Sequence, residues 1–271
     1  MTAESTDATV RARSVGIDFE PYVATPPVPV VKRRPESVDR GARTTEPDWE
    51  RLAPRGAYAR IVRPAGEALL VLAALPLALA LALPIALGNW LVFRDPRKIL
   101  FVQERGGRRG RTFRIHKFRT MKEVHASSFD TWSDASDRLR VTRFGRFLRN
   151  SHLDELPQLL DVIRGEMSLV GPRPEMVEIE RWARDEVDGF AERLAVRPGL
   201  TGLAQITQGY VGRCRAGYAR KLELNRTYLR DFGPRQDLSI LVRTVLWVLR
   251  RNGWRWQDQE LANGGLDADP N

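Results

Sequence analysis

The chain opens on a long polar stretch. From Met1 to about Pro54 apolar residues never gather into a run, and prolines punctuate it at Thr25-Pro26-Pro27-Val28-Pro29 and Lys32-Arg33-Arg34-Pro35. Such a composition cannot bury enough apolar surface to offset the entropy of ordering, which predicts a disordered basic extension over residues 1–55. No apolar run near Met1 has the form of a cleavable signal. The pattern then inverts. Ala68 to Phe93 carries no charge and is dominated by Leu and Ala. About 26 residues of helix reach roughly 39 Å, enough to cross a bilayer. Pro76 and Pro84 interrupt the run, and basic residues flank both ends: Arg55, Arg60 and Arg63 before it, Arg94, Arg97 and Lys98 after it. Lys and Arg beside membrane helices favour the cytoplasmic side, so two basic ends are awkward for a crossing. A helix that enters, bends at proline and returns to the same face satisfies both. A single crossing ranks second and a buried soluble helix third. Residues 56–98 are assigned to this anchor.

Beyond it the periods become short. Ile99 to Gly107 and Thr112 to Met121 read as a strand pair joined by a basic glycine turn within Gly106 to Gly110. Alternation puts Lys117 and Arg119 on one side of the second strand. Lys122 to Asp137 is polar and reads as a loop. Arg143, Arg146 and Arg149 follow at helical spacing. Pro157 belongs in the first turn of a helix whose apolar face is Leu156, Leu159, Leu160 and Ile163, with Ser151 or Asp154 as its N-cap. Met176 to Val196 and Lys221 to Arg230 read as helices. From Asp237 to Trp256 the pattern is amphipathic, and Trp247, Trp254 and Trp256 accompany Arg243, Arg250, Arg251 and Arg255. That pairing suits the headgroup boundary, with a core helix as the alternative for the Leu-rich half. Gln257 to Asn271 reads as a loose acidic tail. The expected fold class is α+β, mainly helical. It has a catalytic domain over 99–256 with a short β-hairpin, a re-entrant membrane helix, interfacial amphipathic helices and a tail over 257–271.

Composition narrows the partners. The 271 residues hold 44 Lys and Arg against 34 Asp and Glu, a net charge of +10. That balance suits nucleic acid, anionic headgroups or phosphate-bearing substrates alike. The single cysteine, Cys214, excludes an internal disulfide, and three histidines without a Cys cluster argue against structural zinc.

The chemistry concentrates between Arg140 and Glu175. Three arginines on one helical face repel one another unless an anion lies opposite. Asp154 and Glu155 sit by a helix start, where free amides favour the ionised carboxylate and attract phosphate. An ionised carboxylate is a competent nucleophile toward phosphorus, and a second one beside it can hold a divalent cation. Arg173, between Pro172 and Pro174, rides on stiff extended backbone, so its fork loses little entropy on gripping phosphate. Taken singly, these are a cap, a solvated face and a turn. Their close succession is what carries weight.

This stretch resembles the bacterial sugar transferases, the monotopic polyprenyl-phosphate phosphoglycosyltransferases. The matching segments are T-R-F-G-R-F-L-R (Thr142 to Arg149), L-D-E-L-P-Q-L (Leu153 to Leu159) and M-S-L-V-G-P-R-P (Met167 to Pro174). The likeness runs from about Ala59 to about Arg250. It takes in Gln103, Arg105 and Gly107 of Q-x-R-x-G, and the K-F-R-T-M of Lys117 to Met121. It also takes in Arg197-Pro198-Gly199-Leu200-Thr201-Gly202-Leu203-Ala204-Gln205, and Asp237 to Val245.

The resemblance implies transfer of sugar 1-phosphate from a UDP-sugar to polyprenyl (undecaprenyl) phosphate, which starts a surface glycan at the cytoplasmic face of the inner membrane. It implies Asp154 as nucleophile, Glu155 as the Mg2+ ligand, and a phosphate clamp of Lys117, Arg119, Arg173 and Arg197. Arg143, Arg149, Thr201 and Gln205 complete the expected substrate-binding set. The chain departs from the pattern in three places. Leu75-Pro76 replaces the usual Ser-Pro of the membrane break. Asn225 stands where aspartate is usual. Residues Thr207 to Gly212 intervene before Arg213, the candidate for the family's N-G-R arginine. Membrane lipids are expected partners, nucleic acid is not, and oligomeric state stays open. A non-catalytic membrane scaffold with a basic face gives no reason for an acidic pair amid arginines, and no nucleic-acid-binding module is recognisable.

Overall fold

A computed structural model describes residues 46–123, 140–209, 211–212 and 214–249. The expectations for 1–45, for most of the 122–137 loop, for Arg213, and for Trp254, Trp256 and the tail lie outside the described residues. Within them the chain is mainly helical, with a two-stranded hairpin and one long apolar helix.

Order begins earlier than composition suggested. Helix α1 (Trp49–Leu52) is capped by Asp48, which accepts from Arg51 N at 3.1 Å, and Glu50 pairs with Arg109 at 2.6 Å. The long-range partner is invisible in a local reading of residues 46–55. A π-helical turn, Tyr58–Val62, then leads into α2 (Arg63–Phe93). Its backbone stays helical through Pro76 and Pro84. Its 31 residues reach about 46 Å, and among the described residues it is the one helix long and apolar enough to cross a membrane.

The buried positions of α2 are Arg63, Glu67, Val71, Ala78, Ile85 and Asn89. Steps of four and seven keep them on one stripe. Val71 packs with Ile115, Val162 and Met167, and Ile85 with Phe118 and Leu148. Burying a side chain of this size stabilises by about 2 kcal/mol. Polar contacts hold the stripe at both ends. Arg63 pairs with Glu67 and Asp237, each at 3.1 Å, and donates to Ser168 Oγ at 2.6 Å and to Val170 O. Glu67 also accepts from Ser168 Oγ and, at 3.2 Å, from Leu169 N. Asp237 accepts from Tyr58 and Tyr228 at 2.6 and 2.9 Å. Near the far end, Asn89 Nδ2 donates to Ile99 O and Arg119 O at 2.9 and 3.0 Å.

The hairpin forms where alternation predicted it. Strand β1 (Leu100–Gly106) pairs antiparallel with β2 (Thr112–Phe118), from Leu100 opposite Phe118 to Gly106 opposite Thr112. Helix α3 (Arg143–Asn150) is capped by Thr142, which accepts from Gly145 N at 2.8 Å. A 3-10 turn, Leu153–Glu155, precedes α4 (Gln158–Ile163). Here the expected caps are corrected. Pro157 occupies the α4 N-cap with no side-chain bond, while Ser151 ends α3 and donates to Phe147 O and Leu148 O. The preceding turn supplies the geometry a cap would have given.

Strand β3 (Ser168–Val170) pairs in parallel with β4 (Gly199–Thr201), a sheet too short to register as a pattern. The crossing depends on bare backbone: a side chain at Gly199 would sit 2.1 Å from Gly171 N. The single helix expected over 176–196 is split. Helix α5 (Val177–Glu186) stops before Gly189, whose φ of 77° is left-handed, and Phe190–Ala195 continues as a 3-10 segment. Helices α6 (Leu203–Gln208), α7 (Arg215–Arg230) and α8 (Pro234–Leu249) complete the described fold.

One glycine tests how closely α3 sits on the hairpin. A methyl at Gly145 would lie 2.1 Å from Thr120 O, which already accepts from Thr142 N. Gly145→Ala is expected to cost about 1–3 kcal/mol by overpacking. The measurement is the thermal-unfolding midpoint of the full chain in detergent, and an unchanged midpoint means α3 does not rest on that carbonyl.

Candidate active site

Three separate segments converge on one acidic pair. The 3-10 turn brings Asp154 and Glu155, β2 brings Lys117, and the extended segment after β3 brings Arg173. Lys117 Nζ donates to Glu155 Oε1 at 2.6 Å, and Arg173 donates to the same oxygen at 2.5 Å. Charge-assisted bonds of this length are the strong class. Arg149, at the end of α3, is held beside them by Thr120 Oγ1 at 3.0 Å and Met121 Sδ at 2.9 Å.

The turn is set by a strained residue. His152, just before it, has φ of 56°, a left-handed conformation uncommon outside glycine. Its ring lies 5.3 Å from Trp247 on α8. Arg173 is aimed through its own backbone. Arg193 donates to Arg173 O at 2.8 Å, and Arg105 donates to Pro174 O at 3.3 Å and to Gln103 Oε1 at 2.6 Å. The next residue, Glu175, accepts Lys221 at 2.9 Å. Three basic side chains thus grip the carbonyls and carboxylate around the arginine that faces the acids.

The two carboxylates have different environments. Burial pushes Asp154 up to about 6, against Lys117, Arg149 and Arg173, which favour its charge. Burial also works on Glu155, but Arg173 and Lys117 override it and hold Glu155 well below the usual carboxylate range. Glu155 is therefore ionised and doubly bonded. Asp154, only 7% exposed, makes no hydrogen bond or ion pair among the described residues. Adjacent carboxylates pushed apart in this way take different chemical tasks. Burial lowers Lys117, with Glu155 opposing, and pulls Arg105 down to about 10.

Not every expected residue reaches this cluster. Asp154, Glu155, Lys117, Arg149 and Arg173 come together. Arg119 instead pairs with Glu123 at 3.1 Å and lies over the Phe101 ring at 5.8 Å. Arg143 is exposed on α3. Arg197 faces Glu67 of α2 at 3.8 Å. Thr201 Oγ1 meets Thr244 Oγ1 at 2.8 Å, and Gln205 donates to Leu200 O at 2.9 Å. Pro76 lies within continuous α2. The spacing missed Arg193, Lys221 and Glu175, because nothing local marks a charge as buried. Arg105 had a signal, its place in the Q-x-R-x-G segment.

Among the described residues no group of three or more His, Cys, Asp or Glu is placed to hold a metal by itself. Glu155 Oε1 is taken by Lys117 and Arg173, but Glu155 Oε2 and the Asp154 oxygens make no hydrogen bond among the described residues, and carboxylate oxygens are the donor type Mg2+ takes.

Comparison with known proteins places the chain in a family. Residues 58–251 match a family model described as bacterial sugar transferase. The chain is 37% identical over 184 residues to a UDP-N-acetylgalactosamine-undecaprenyl-phosphate N-acetylgalactosaminephosphotransferase of Aeromonas hydrophila, covering 66% of this chain and 41% of that protein. It is 38% identical over 179 residues to a UDP-galactose-lipid carrier transferase of Erwinia amylovora, covering 60% of this chain and 36% of that one. With a UDP-glucose:undecaprenyl-phosphate glucose-1-phosphate transferase of Caulobacter vibrioides it shares 39% identity over 193 residues, 69% of this chain and 67% of the other. The chain spans about two fifths of the length of the first two relatives.

The Asp154 environment fixes a pH dependence. The ionised carboxylate is far more nucleophilic and basic than the protonated acid, and ionisation grows as pH rises through about 6. Activity, as kcat/KM, is expected to fall as pH drops below that point. Lys117→Met removes a charge that favours the carboxylate and moves this limb to higher pH. A pH–rate profile of both forms checks it, and a limb that stays put or moves to lower pH contradicts the arrangement.

Proposed function

The chain belongs to the bacterial sugar transferase family, and from that premise we propose that it transfers a sugar 1-phosphate from a UDP-sugar to undecaprenyl phosphate, initiating a surface glycan. The observation that carries this reading is the unequal pair: Glu155 tied to Lys117 and Arg173, Asp154 buried beside them with its oxygens unbonded among the described residues. The relatives' names supply the substrate class.

In the proposed reaction the Asp154 carboxylate attacks the sugar-side phosphorus. The bond from that phosphorus to the bridging oxygen breaks, and UMP leaves with the electron pair. An oxygen of the lipid phosphate then attacks the same phosphorus and releases Asp154. Every group involved is anionic, so the barrier is largely electrostatic. Lys117, Arg149 and Arg173 neutralise the phosphates as charge shifts among their oxygens. Glu155 would hold Mg2+, which when bound supplies further charge neutralisation at the diphosphate. Arg119, Arg143, Arg197, Thr201, Gln205 and Arg213 remain candidates for the donor's outlying parts.

The re-entrant reading of α2 has support in its contacts. Arg63 and Asn89, 26 positions apart by number, both hold to one body. A straight crossing helix would carry its two ends to opposite sides of a bilayer. The leucines of α2 are exposed, as are Leu160 and Ile163 on α4 and Val242 and Val245 on α8. Exposed apolar surface of this extent suits lipid. Arg60 and Arg94, both exposed, lie near the two ends of the helix and favour the cytoplasmic face.

Radiolabelled transfer from a panel of UDP-sugars into undecaprenyl phosphate tests the activity. Label should enter the lipid with Mg2+ and not with EDTA, and Asp154→Asn should abolish transfer while membrane association persists. No label from any donor sinks the transferase reading. For topology, single cysteines before Tyr58 and after Arg94, in a Cys214→Ser background, should react with an impermeant maleimide from one side only. Labelling from opposite sides makes α2 a span.

A further inference from the structure

An acid outside the reacting pair has no task in the scheme above. Asp161, on α4, is wholly buried, with 0% exposure. A carboxylate there is costly unless its oxygens are satisfied. Both are taken by one residue of β2. His116 N donates to Asp161 Oδ2 at 3.0 Å, and His116 Nδ1 lies 2.7 Å from Asp161 Oδ1. A carboxylate only accepts, so Nδ1 carries the hydrogen. Arg164 adds a weaker contact to Oδ1 at 3.4 Å. Asp161 thus grips the backbone and the ring of His116 together, fixing where that point of β2 lies along α4.

The residue after His116 is Lys117, whose ammonium meets Glu155 at 2.6 Å. Glu155 and Asp161 lie six positions apart on the turn and helix that face β2. Two adjacent residues of one strand are therefore pinned to two acids of one turn-helix unit. A tie needed for packing alone would ask for no charge, and Ile115 with Val162 already supplies an apolar contact between β2 and α4. Errors of about 1 Å in placement of a charged group cost roughly 100-fold in rate.

We propose that Asp161 is a positioning residue: by holding His116 at two points it sets Lys117 on Glu155 and so fixes the cation that the reacting phosphates meet. The inference rests on the proposed transfer reaction for its kinetic consequence but not for its geometry.

The test is a double-mutant cycle on the full chain in detergent. Asp161→Ala is expected to lower kcat roughly 100-fold. Asp161→Asn keeps an oxygen for His116 N and should recover most of that loss. In the Lys117→Met background, Asp161→Ala should add nothing beyond about twofold, the usual error of such a cycle. Losses that multiply, or an Asn variant as slow as Ala, overturn the proposal, since a purely structural acid would hurt both backgrounds alike. A second readout needs no turnover. Acetic anhydride labelling of Lys117, followed by mass spectrometry, should rise in Asp161→Ala and stay near wild type in Asp161→Asn. Unchanged labelling in Asp161→Ala also overturns the proposal. Wild-type protein that labels as expected but transfers no sugar phosphate removes the transferase reading and leaves this one intact.

Discussion

One carboxylate oxygen receives two cations from distant parts of the chain. Glu155 Oε1 takes Lys117 from β2 and Arg173 from the segment after β3. Lys117, mostly buried, would otherwise face desolvation without a partner, which is costly for an ion. Their common acceptor makes the three segments meet. It also leaves the neighbouring Asp154 in the field of the same cations without bonding to them. Proximity without bonding favours its charge and leaves its lone pairs open. The different protonation behaviour of these two adjacent acids follows from that asymmetry.

The apolar helix is part of this arrangement. Its Arg63 and Glu67 hold Ser168, Leu169 and Val170 of β3, and the chain leaving β3 becomes the Gly171-Pro172-Arg173 segment. Its Asn89 holds Arg119 O, two residues beyond Lys117. One end of α2 thus steadies the strand leading to Arg173 and the other steadies the strand that carries Lys117. A helix bound in this way is tied to the site at both ends, and a shift of α2 would move both cations.

Much of this was legible in the residues and much was not, for physical reasons. The hairpin was readable because alternation and a glycine turn are local. Asp154, Glu155 and Arg173 were readable because two prolines and an acidic pair sit close together in the chain. What the sequence left out was the intramolecular partners. Arg197 looked like a phosphate ligand, yet it faces Glu67, an acid one position before the uncharged run, whose importance depends on burial. Arg143, Arg146 and Arg149 shared a spacing, but three steps of 100° carry the row around the helix. Only Arg149 turns inward, while the other two are exposed. Thr120 and Met121, which hold Arg149, precede it by almost thirty residues.

The substitution of Leu75 for the usual serine fits this frame. A hydroxyl beside Pro76 would satisfy one carbonyl freed by the proline, a local remedy. Here the helix is constrained instead by contacts at Arg63, Glu67 and Asn89, toward its ends. End constraints act through geometry rather than through the freed carbonyl. With both ends fixed to one body, the middle of the helix has few conformations left.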